Sequence, residues 1–471
     1  MEMHAADRSG IGLSKASEGR RVALLITGLG SFLVPFMGSA VNIAIPVLGR
    51  EFEVDAVTLG WVASSYLLAA GIFILPLGRL ADIYGRKRVF TYGIIVFTIS
   101  SLLCAVSKSP IQLISFRFLQ GIGGAMIFCT SVALLTSIFQ RSERGEALGV
   151  NVAAIYLGLS IGPLIGGFLV QFSGWRGIFL AVIPPGLAAT TLTWWSLKGE
   201  WAEARGERFD LTGSIFYTFG LASIVYSLST LPDKSGLPLL LIGGLGLVFF
   251  ILWEGKVTSP ILNLHIFKGN PAFTFSNLAA LISYSATFAV SFLLSLYLQY
   301  IRGFPPQNAG IILMSQPVVQ AILSPFAGKL SDVIEPRIVS SIGMAITTIG
   351  LAALAFIGGE TALAFVIVEL SILGFGFALF SSPNTNAVMN SVENKFFGVA
   401  SGILATMRLI GQMLSMVIST LILTLYLGET RITPEHYPAL LGSIKLAFLA
   451  FTLLSVIGIP ASLARGKILT R

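Results

Sequence analysis

Charge, cysteine and histidine are all scarce in this chain of 471 residues. Only 11% of the residues are charged whereas 55% are hydrophobic, a balance that excludes the soluble globular classes. The two cysteines, Cys104 and Cys129, lie inside apolar runs, so we expect neither a disulfide nor a redox role. The three histidines are scattered and indicate no metal site. The composition therefore predicts a protein whose solvent is the lipid bilayer.

Recognisable catalytic and nucleotide motifs are also missing. The pattern Gly-x-x-x-x-Gly-Lys-Ser/Thr does not occur, so we do not expect direct coupling to ATP. We find no arrangement typical of a catalytic nucleophile, and we expect no enzyme activity, no cofactor and no metal. The first apolar run, residues 22–48, is too long for a cleaved signal and predicts a retained helix.

The net charge of +8 is distributed in a way that argues against nucleic acid as a partner. The cations concentrate in alternate loops, including Arg79, Arg86, Arg141, Lys329 and Lys467, and the intervening loops carry few, such as Lys234. Because positive charge resists translocation, this asymmetry predicts that the basic loops and both termini lie in the cytoplasm. We expect a multi-pass protein of the cell membrane, and a monomer.

At about 20 apolar residues per span, the sequence predicts fourteen membrane helices, in two bundles of six with two further helices between them. The predicted spans are residues 22–48, 59–77, 89–106, 111–139, 148–172, 177–197, 211–229, 237–253, 272–298, 309–327, 338–357, 363–380, 400–427 and 440–463. The corresponding regions are a cytoplasmic tail (1–21), a first bundle (22–198), links with the two extra helices (199–270), a second bundle (271–464) and a second tail (465–471).

A short basic segment, residues 78–88, follows the second predicted helix, and its first part recurs in the second half. Residues 328–333 repeat residues 78–83 position by position, and each copy follows the second helix of its bundle. The even number of helices between the copies places both on the same side. The sequence therefore predicts a duplicated membrane protein, and such proteins are mostly secondary transporters.

Three motifs in the first half have physical interpretations of their own. In the basic segment, Gly78 and Gly85 would permit tight turns and Asp82 can pair with Arg86 or sit at a helix N-terminus, although setting topology is an alternative role for its cations, including Lys87. In the fifth predicted helix the glycines share one face, which allows close packing, and the proline removes a backbone hydrogen bond. That motif comprises Gly158, Gly162, Pro163, Gly166 and Gly167.

The third motif lies in the fourth predicted helix and contains Arg117, Gln120, Gly121, Gly123 and Gly124. An unpaired cation at this depth is costly, so we expect Arg117 to face the interior of the bundle, with Gln120 on nearly the same face. An arginine that snorkels to the nearby membrane edge remains an alternative.

With these three motifs in order, the chain resembles the major facilitator superfamily, specifically the drug:proton antiporters with fourteen helices. The resemblance implies a major facilitator fold, export by exchange for protons, and a basic segment in which Asp82 braces the cytoplasmic contact between the bundles. It also implies that Arg117 takes part in proton transfer. Further likeness lies in two parts of the second bundle, residues 297–310 and the pair Asn384 and Asn386, which we expect to follow the twelfth helix.

The chain departs from that family at its usual proton site. Met37 stands where an acid is common in the first helix, near Asn42. Glu369 is then the deepest carboxylate in a predicted span and a candidate proton carrier, unless it pairs with a cation such as Arg408 or touches interfacial water. Asp210 and Glu254 lie at predicted helix ends, where we expect solvent to reach them.

The leading hypothesis is a proton-coupled exporter of small hydrophobic or amphipathic compounds. We expect Met37, Asn42, Gln120 and Met126 to line its substrate cavity, where adaptable apolar side chains accept many shapes. The alternatives are an exporter of one metabolite, such as a lipid or siderophore, and a non-transporting membrane sensor.

Overall fold

The computed structural model describes residues 3–140, 143–230, 236–393, 396–428 and 430–466. Within these residues the chain is built from helices, fourteen segments of which are long and apolar enough to cross a bilayer. This confirms the predicted all-α membrane protein with fourteen spans. Arg141, Lys234, Lys467 and most of the loop at 231–236, which entered the charge and topology predictions, lie outside the described residues.

The two bundles follow one another along the chain, separated by a pair of extra helices. The first bundle contains α1 (Met3–Phe52), α2 (Ala56–Tyr84), α3 (Arg86–Ala105), α4 (Pro110–Ile138), α5 (Arg144–Ser173), α6 (Arg176–Ala181) and α7 (Ile183–Ser196). The extra pair is α8 (Leu211–Thr230) and α9 (Gly236–Glu254). The second bundle contains α10 (Pro271–Thr287), α11 (Val290–Leu296), α12 (Pro306–Leu313), α13 (Ser315–Val333), α14 (Pro336–Leu354), α15 (Leu363–Asn390), α16 (Phe397–Leu427) and α17 (Tyr437–Leu463).

Several helices extend well beyond their predicted ends. α1 begins at Met3, and its part suited to a membrane begins at Arg20, so residue 22 is not a helix boundary. α2 continues to Tyr84 and α13 to Val333, so the predicted basic loop and its repeat are mostly helical. The sequence prediction counted only the apolar core of each span, whereas the helical hydrogen bonds continue into the charged residues beyond it.

Only one residue separates α2 from α3. Gly85 has a φ of 122°, a conformation that side-chain-bearing residues avoid, and it reverses the chain between the two helices. Gly78, in contrast, lies inside α2, so its predicted role in a turn is wrong. Asn384 and Asn386 likewise lie inside α15, not after it, because that helix runs to Asn390.

In both bundles a glycine allows two helices to approach each other closely. In the first, Gly158 of α5 brings that helix against the carbonyl oxygen of Phe32 in α1. In the second, a Cβ on Gly411 of α16 would lie 2.6 Å from the carbonyl oxygen of Leu281 in α10. A fifth span thus packs its small residues on the first span of its own bundle in both halves, as a duplicated fold requires.

The extra helix α8 packs against both α2 and α16. Pro76 of α2 has no N–H, which leaves the carbonyl of Ile72 without its helical partner, and the Thr218 hydroxyl donates to that oxygen at 3.2 Å. The neighbouring Tyr217 hydroxyl donates to the Gly71 carbonyl at 2.8 Å. α8 is therefore attached to the bundles, whereas α9 packs mainly on α8.

Candidate functional site

The basic segment forms an ion network around the buried Arg86. This guanidinium, in a residue only 5% exposed, lies 2.8 Å from an Asp82 carboxylate oxygen and binds Glu203 through two hydrogen bonds of 2.7 and 2.9 Å. It also donates to the Ser137 hydroxyl of α4 at 2.6 Å. Two carboxylates and a hydroxyl thus compensate one buried cation, which is the condition for burying it.

The link between α7 and α8 lies directly over this network, and we call residues 197–209 the acidic link. The Arg86 amide donates to the Trp201 carbonyl at 2.8 Å, and the Ala204 amide donates to the Asp82 carbonyl at 3.0 Å. The Lys87 ammonium donates to the Leu197 carbonyl. Main-chain bonds therefore fix the link onto the junction at Gly85.

Acidic side chains at 200, 203 and 207 match the cations of the basic segment. Arg79 pairs with Glu207 at 2.5 Å and Arg88 lies 3.5 Å from Glu200. Hydrogen bonds from Arg79 and then Ser259 lower the pKa of Glu207 below that of an ordinary carboxyl group. Because the lowered pKa belongs to the folded state, this stabilisation is present above the ordinary pKa and is lost as the pH falls through the lowered one.

A cavity of about 510 Å³ opens beside the network, between α2, α4 and α16. Its wall combines apolar side chains, including Ile74 and Ile403, with three cations and three acids: Arg79, Arg86, Arg144, Asp82, Glu203 and Glu207. Cys129 and Thr136 of α4 contribute the side facing α16. We call this end of the molecule the basic end.

At the opposite end the two bundles are in contact. Pro46 lacks an N–H, so the carbonyl of Asn42 has no helical partner, and the Ser295 hydroxyl donates to it at 2.7 Å. In a π-helical turn, Tyr297–Ile301, the Gln299 side-chain amide donates a hydrogen bond to the Ile43 carbonyl at 2.9 Å. The Tyr300 hydroxyl of the same turn donates to the Pro46 carbonyl at 3.1 Å. The cavity is therefore open at the basic end and the bundles are closed at the other.

The glycine motif of α5 packs against both bundles. Gly162 faces Ser39 of α1, and a Cβ on Gly166 would lie 3.0 Å from the Cα of Ala40. On the second bundle, a Cβ on Gly167 would lie 2.7 Å from the Pro306 carbonyl oxygen. Gly310 of α12 in turn faces the Pro163 carbonyl. The motif thus provides a close contact between the bundles as well as within the first one.

Arg117 is buried inside the first bundle and is only 1% exposed. The alternative of an arginine that snorkels to the membrane edge is therefore wrong. It donates to the Gln120 side-chain oxygen at 2.5 Å and to the Val62 carbonyl at 3.3 Å, and it lies 4.4 Å from the ring centre of Tyr66. Gln120 donates in turn to Ser101 at 2.7 Å. Among the described residues Arg117 has no carboxylate partner.

Glu369 lies on the buried face of α15 and is 8% exposed. One of its carboxylate oxygens has no hydrogen-bond partner in the described part of the chain. The alternative of a pair with Arg408 is wrong, because that guanidinium donates to Thr385 instead, at 2.7 Å. Sixteen residues of one helix separate Thr385 from Glu369, or about 24 Å. Glu369 and Arg117 lie in different bundles.

The residues predicted to line a substrate cavity are buried or face other helices. Met37, Asn42 and Gln120 are at most 4% exposed, and a Cβ on Gly93 of α3 would lie 2.7 Å from the Cβ of Met126. None of the four lines the cavity at the basic end. Their role in a substrate path remains a prediction.

Two acids are buried against expectation. Asp210 and Glu254, at the basic ends of α8 and α9, are 8% and 3% exposed, so the prediction that solvent reaches them is wrong. Asp210 accepts from the Gly213 amide at 2.9 Å and from the Trp253 indole, and Glu254 accepts from the Leu262 amide at 2.9 Å. The spacing of Asp210 and Gly213 is that of a helix N-cap, a signal present in the sequence.

Two bundles of six spans around a cavity that is open at one end define a membrane transporter rather than an enzyme. The sequence comparisons agree: residues 27–415 and 276–467 match the Major Facilitator Superfamily. The chain belongs to this superfamily.

Three similar proteins illustrate the range of the family. The riboflavin transporter RibZ of Clostridioides difficile (strain 630) is 30% identical over 390 residues, 82% of this chain and 84% of that protein. The multidrug resistance protein Stp of Mycobacterium tuberculosis (strain CDC 1551 / Oshkosh) is 30% identical over 415 residues, 87% of this chain and 77% of that protein. A bacterial homologue of the human lysosomal transporter Spinster, solved in an inward-facing, unoccupied conformation, shares the fold with a TM-score of 0.69 at 16% identity, covering 95% of this chain and 97% of that one.

Proposed function

We propose that this protein is a proton-coupled antiporter that exports small hydrophobic or amphipathic compounds from the cytoplasm by alternating access. The observation that carries the proposal is the cavity between the bundles, open at the basic end and closed at the opposite end by the α1 contacts of the π-helical turn. A transporter of this type exchanges two such arrangements around one binding region.

The direction of the cavity follows from charge. Because cations concentrate at the basic end, that end lies in the cytoplasm, with both termini on the same side of the cell membrane. The structure then represents the state that takes up substrate from the cytoplasm. The basic motif, from Gly78 through Asp82, Gly85 and Arg86 to Lys87, biases the equilibrium between this state and the outward-facing one.

Proton coupling is assigned to Glu369, with Arg117 influencing the proton path from the first bundle. Its carboxylate lies inside a span with one oxygen unpartnered among the described residues, and proton binding and release there would depend on which side of the membrane reaches it. Met37 occupies the position where relatives often carry an acid, which leaves the coupling role to the second bundle.

A broad substrate range is supported by the similarity to Stp, a multidrug resistance protein, and by a cavity wall that mixes apolar and charged groups. Export of one metabolite is the second candidate, because RibZ is a riboflavin transporter of equal similarity. The protein acts as a monomer on small-molecule substrates, with the lipid bilayer as its surroundings.

The two candidates are separated by a transport panel in proteoliposomes containing the purified protein. Structurally unrelated amphipathic dyes and antibiotics are tested beside riboflavin, with protein-free liposomes as the control. The multidrug proposal predicts saturable transport of several unrelated compounds. Transport of riboflavin alone would replace it with the single-metabolite function.

A further inference from the structure

Arg408 is a second cation inside the membrane that lacks an acidic partner. It is the twelfth residue of α16, which places it about 16 Å along the helix from Phe397, near the middle of a bilayer core. Its Nη2 atom donates to the Thr385 hydroxyl at 2.7 Å, and its guanidinium carbon lies 5.7 Å from the ring centre of Tyr284. No acid in the described part of the chain forms an ion pair with it.

Most of the donors of this guanidinium are unused. An arginine side chain carries five N–H groups, and the one hydrogen bond seen here is to Thr385. The Nε atom is buried with no partner among the described residues. The Nη1 atom makes no hydrogen bond to the described residues either, and the Arg408 side chain as a whole is half-buried. The side chain is therefore held in place on one edge and free to bind on the other.

The position of Arg408 is between the bundles. The Thr385 hydroxyl donates to the Ser381 carbonyl at 2.8 Å, and the Ser381 hydroxyl lies 2.8 Å from the Tyr156 hydroxyl of α5. A polar chain thus runs from α16 through α15 to the first bundle. Phe377 packs edge-on against Tyr284 with ring centres 5.1 Å apart, which gives the same region an aromatic wall.

An arginine with free donors beside aromatic rings fits one chemical class of ligand. Its planar fork binds carboxylate and other anionic oxygen groups, and the rings of Tyr284 and Phe377 offer dispersion contact to an apolar body. Glu369, the nearest acid by sequence on α15, lies about 24 Å along that helix from Thr385 and cannot supply the anion. Within the described residues no carboxylate is in position to pair with Arg408, so its free donors are available to an anionic ligand.

We propose that Arg408, positioned by Thr385 and Tyr284, binds the anionic oxygen group of an amphipathic substrate carrying a carboxylate or sulfonate. The proposal rests on the transport function given above and names one substrate class for it. In the state described here, the anion enters from the basic end and its apolar part lies against Tyr284 and Phe377.

The test uses two probes that differ only in the anion: 8-anilino-1-naphthalenesulfonate and the uncharged N-phenyl-1-naphthylamine. Binding to the full-length protein in lipid nanodiscs is measured by equilibrium dialysis, with empty nanodiscs subtracted. We expect the wild-type protein to bind the sulfonate more tightly, and Arg408→Gln to weaken its binding at least tenfold while changing that of the amine less than twofold. Arg408→Lys should give an intermediate loss, because an ammonium keeps the charge without the fork.

Two further variants guard against a general loss of structure. Thr385→Val removes the positioning hydroxyl at nearly constant volume and should weaken sulfonate binding selectively, by about threefold. Lys445→Gln removes one cation from α17 of the same bundle and should leave both affinities within twofold. An equal loss for both probes in Arg408→Gln, or a wild-type protein that prefers the uncharged amine, would overturn the proposal. Transport of the amine in that case would leave the exporter function intact.

Discussion

Arg117 and Glu369 are charged side chains that the fold removes from water without an oppositely charged partner among the described residues. An ionised group at membrane depth costs at least about 2.5 kcal/mol. Arg117 recovers part of this through Gln120, the Val62 carbonyl and the Tyr66 ring, whereas Glu369 keeps one oxygen unpaired. The described neighbours thus compensate the charge of Arg117 in part and leave one oxygen of Glu369 uncompensated.

The first prediction concerns Arg117→Lys. A lysine keeps the charge but cannot contact Gln120, the Val62 carbonyl and the Tyr66 ring at once, because it lacks the planar fork. We expect the exchange rate to fall by at least about tenfold, equivalent to ~1.4 kcal/mol of barrier. Substrate exchange in proteoliposomes measures it, with monodisperse elution of the variant as the folding control. Unchanged exchange would reduce Arg117 to a structural residue.

The second prediction concerns Asp82→Asn. The asparagine keeps the size and removes one of the two negative charges that compensate Arg86. It leaves the apolar part of the cavity wall, including Ile74 and Ile403, unchanged, so we expect its main effect to be on the balance between conformational states. We expect transport to fall severalfold while protein level and substrate affinity stay close to wild type. Turnover of purified, reconstituted protein is the measurement. Unaltered turnover would mean that the basic segment serves only to set topology.

At the scale of elements, the positions of the spans were predictable but their ends and partners were not. Apolar runs long enough to cross a bilayer specify the fourteen spans, because lipid leaves the backbone no other way to satisfy its hydrogen bonds. The continuation of α2 through Asp82 and of α15 through Asn386 depends on helical bonds beyond the apolar core, where composition carries no signal.

The acidic link shows what sequence reasoning missed. Glu200, Glu203 and Glu207 lie in the predicted link region (199–270), where the sequence indicates no role for them, yet all three face cations more than a hundred residues away along the chain. No local pattern in the sequence indicates such a contact. The burial of Asp210 and Glu254 was not predicted for the same reason, because it depends on how α8 and α9 pack together.

The third prediction follows from the lowered pKa of Glu207. At pH 7 its carboxylate is charged and paired with Arg79, so Glu207→Gln should increase hydrogen exchange of backbone amides in residues 200–207 at that pH. Below the lowered pKa, wild type and variant should converge, because the wild-type carboxyl is then protonated too. Arg208→Gln, at an exposed position in the same link, is the control and should exchange like wild type. Identical exchange of Glu207→Gln and wild type at pH 7 would contradict the pairing.

For the whole molecule, the fourth prediction is the topology. In a background with Cys104 and Cys129 replaced by alanine, single cysteines at Arg208 and Glu435 report opposite ends, since both positions are exposed and separated by seven spans. We expect a membrane-impermeant thiol reagent applied to intact cells to label the Glu435 position and spare the Arg208 position. The reverse labelling pattern would mean that the basic end lies outside the cell and that the cavity opens in that direction.

The fold of the molecule was predictable because duplication, charge asymmetry and three motifs point to the same architecture. The candidate site was predictable in part. The buried positions of Arg117 and Glu369 were predicted from the cost of placing a charge in a span. The region around Arg408 was not predicted, because Tyr156, Tyr284 and Thr385 come from three helices that only packing brings together. A polar residue within an apolar span can be recognised in the sequence, whereas the side chains that it contacts cannot.

Proton-driven accumulation by the Glu369→Gln variant tests the central claim most directly. Proteoliposomes are given an imposed pH gradient, and uptake of a transported member of the panel is followed for wild type, for this variant and for the exposed control Glu360→Gln. Because an amide keeps the size and polarity of the acid but carries no proton, we predict that wild type and Glu360→Gln accumulate substrate against its gradient. Glu369→Gln should only equilibrate it, with downhill exchange preserved. Full accumulation by Glu369→Gln, or a wild-type protein that ignores the pH gradient, would contradict the account.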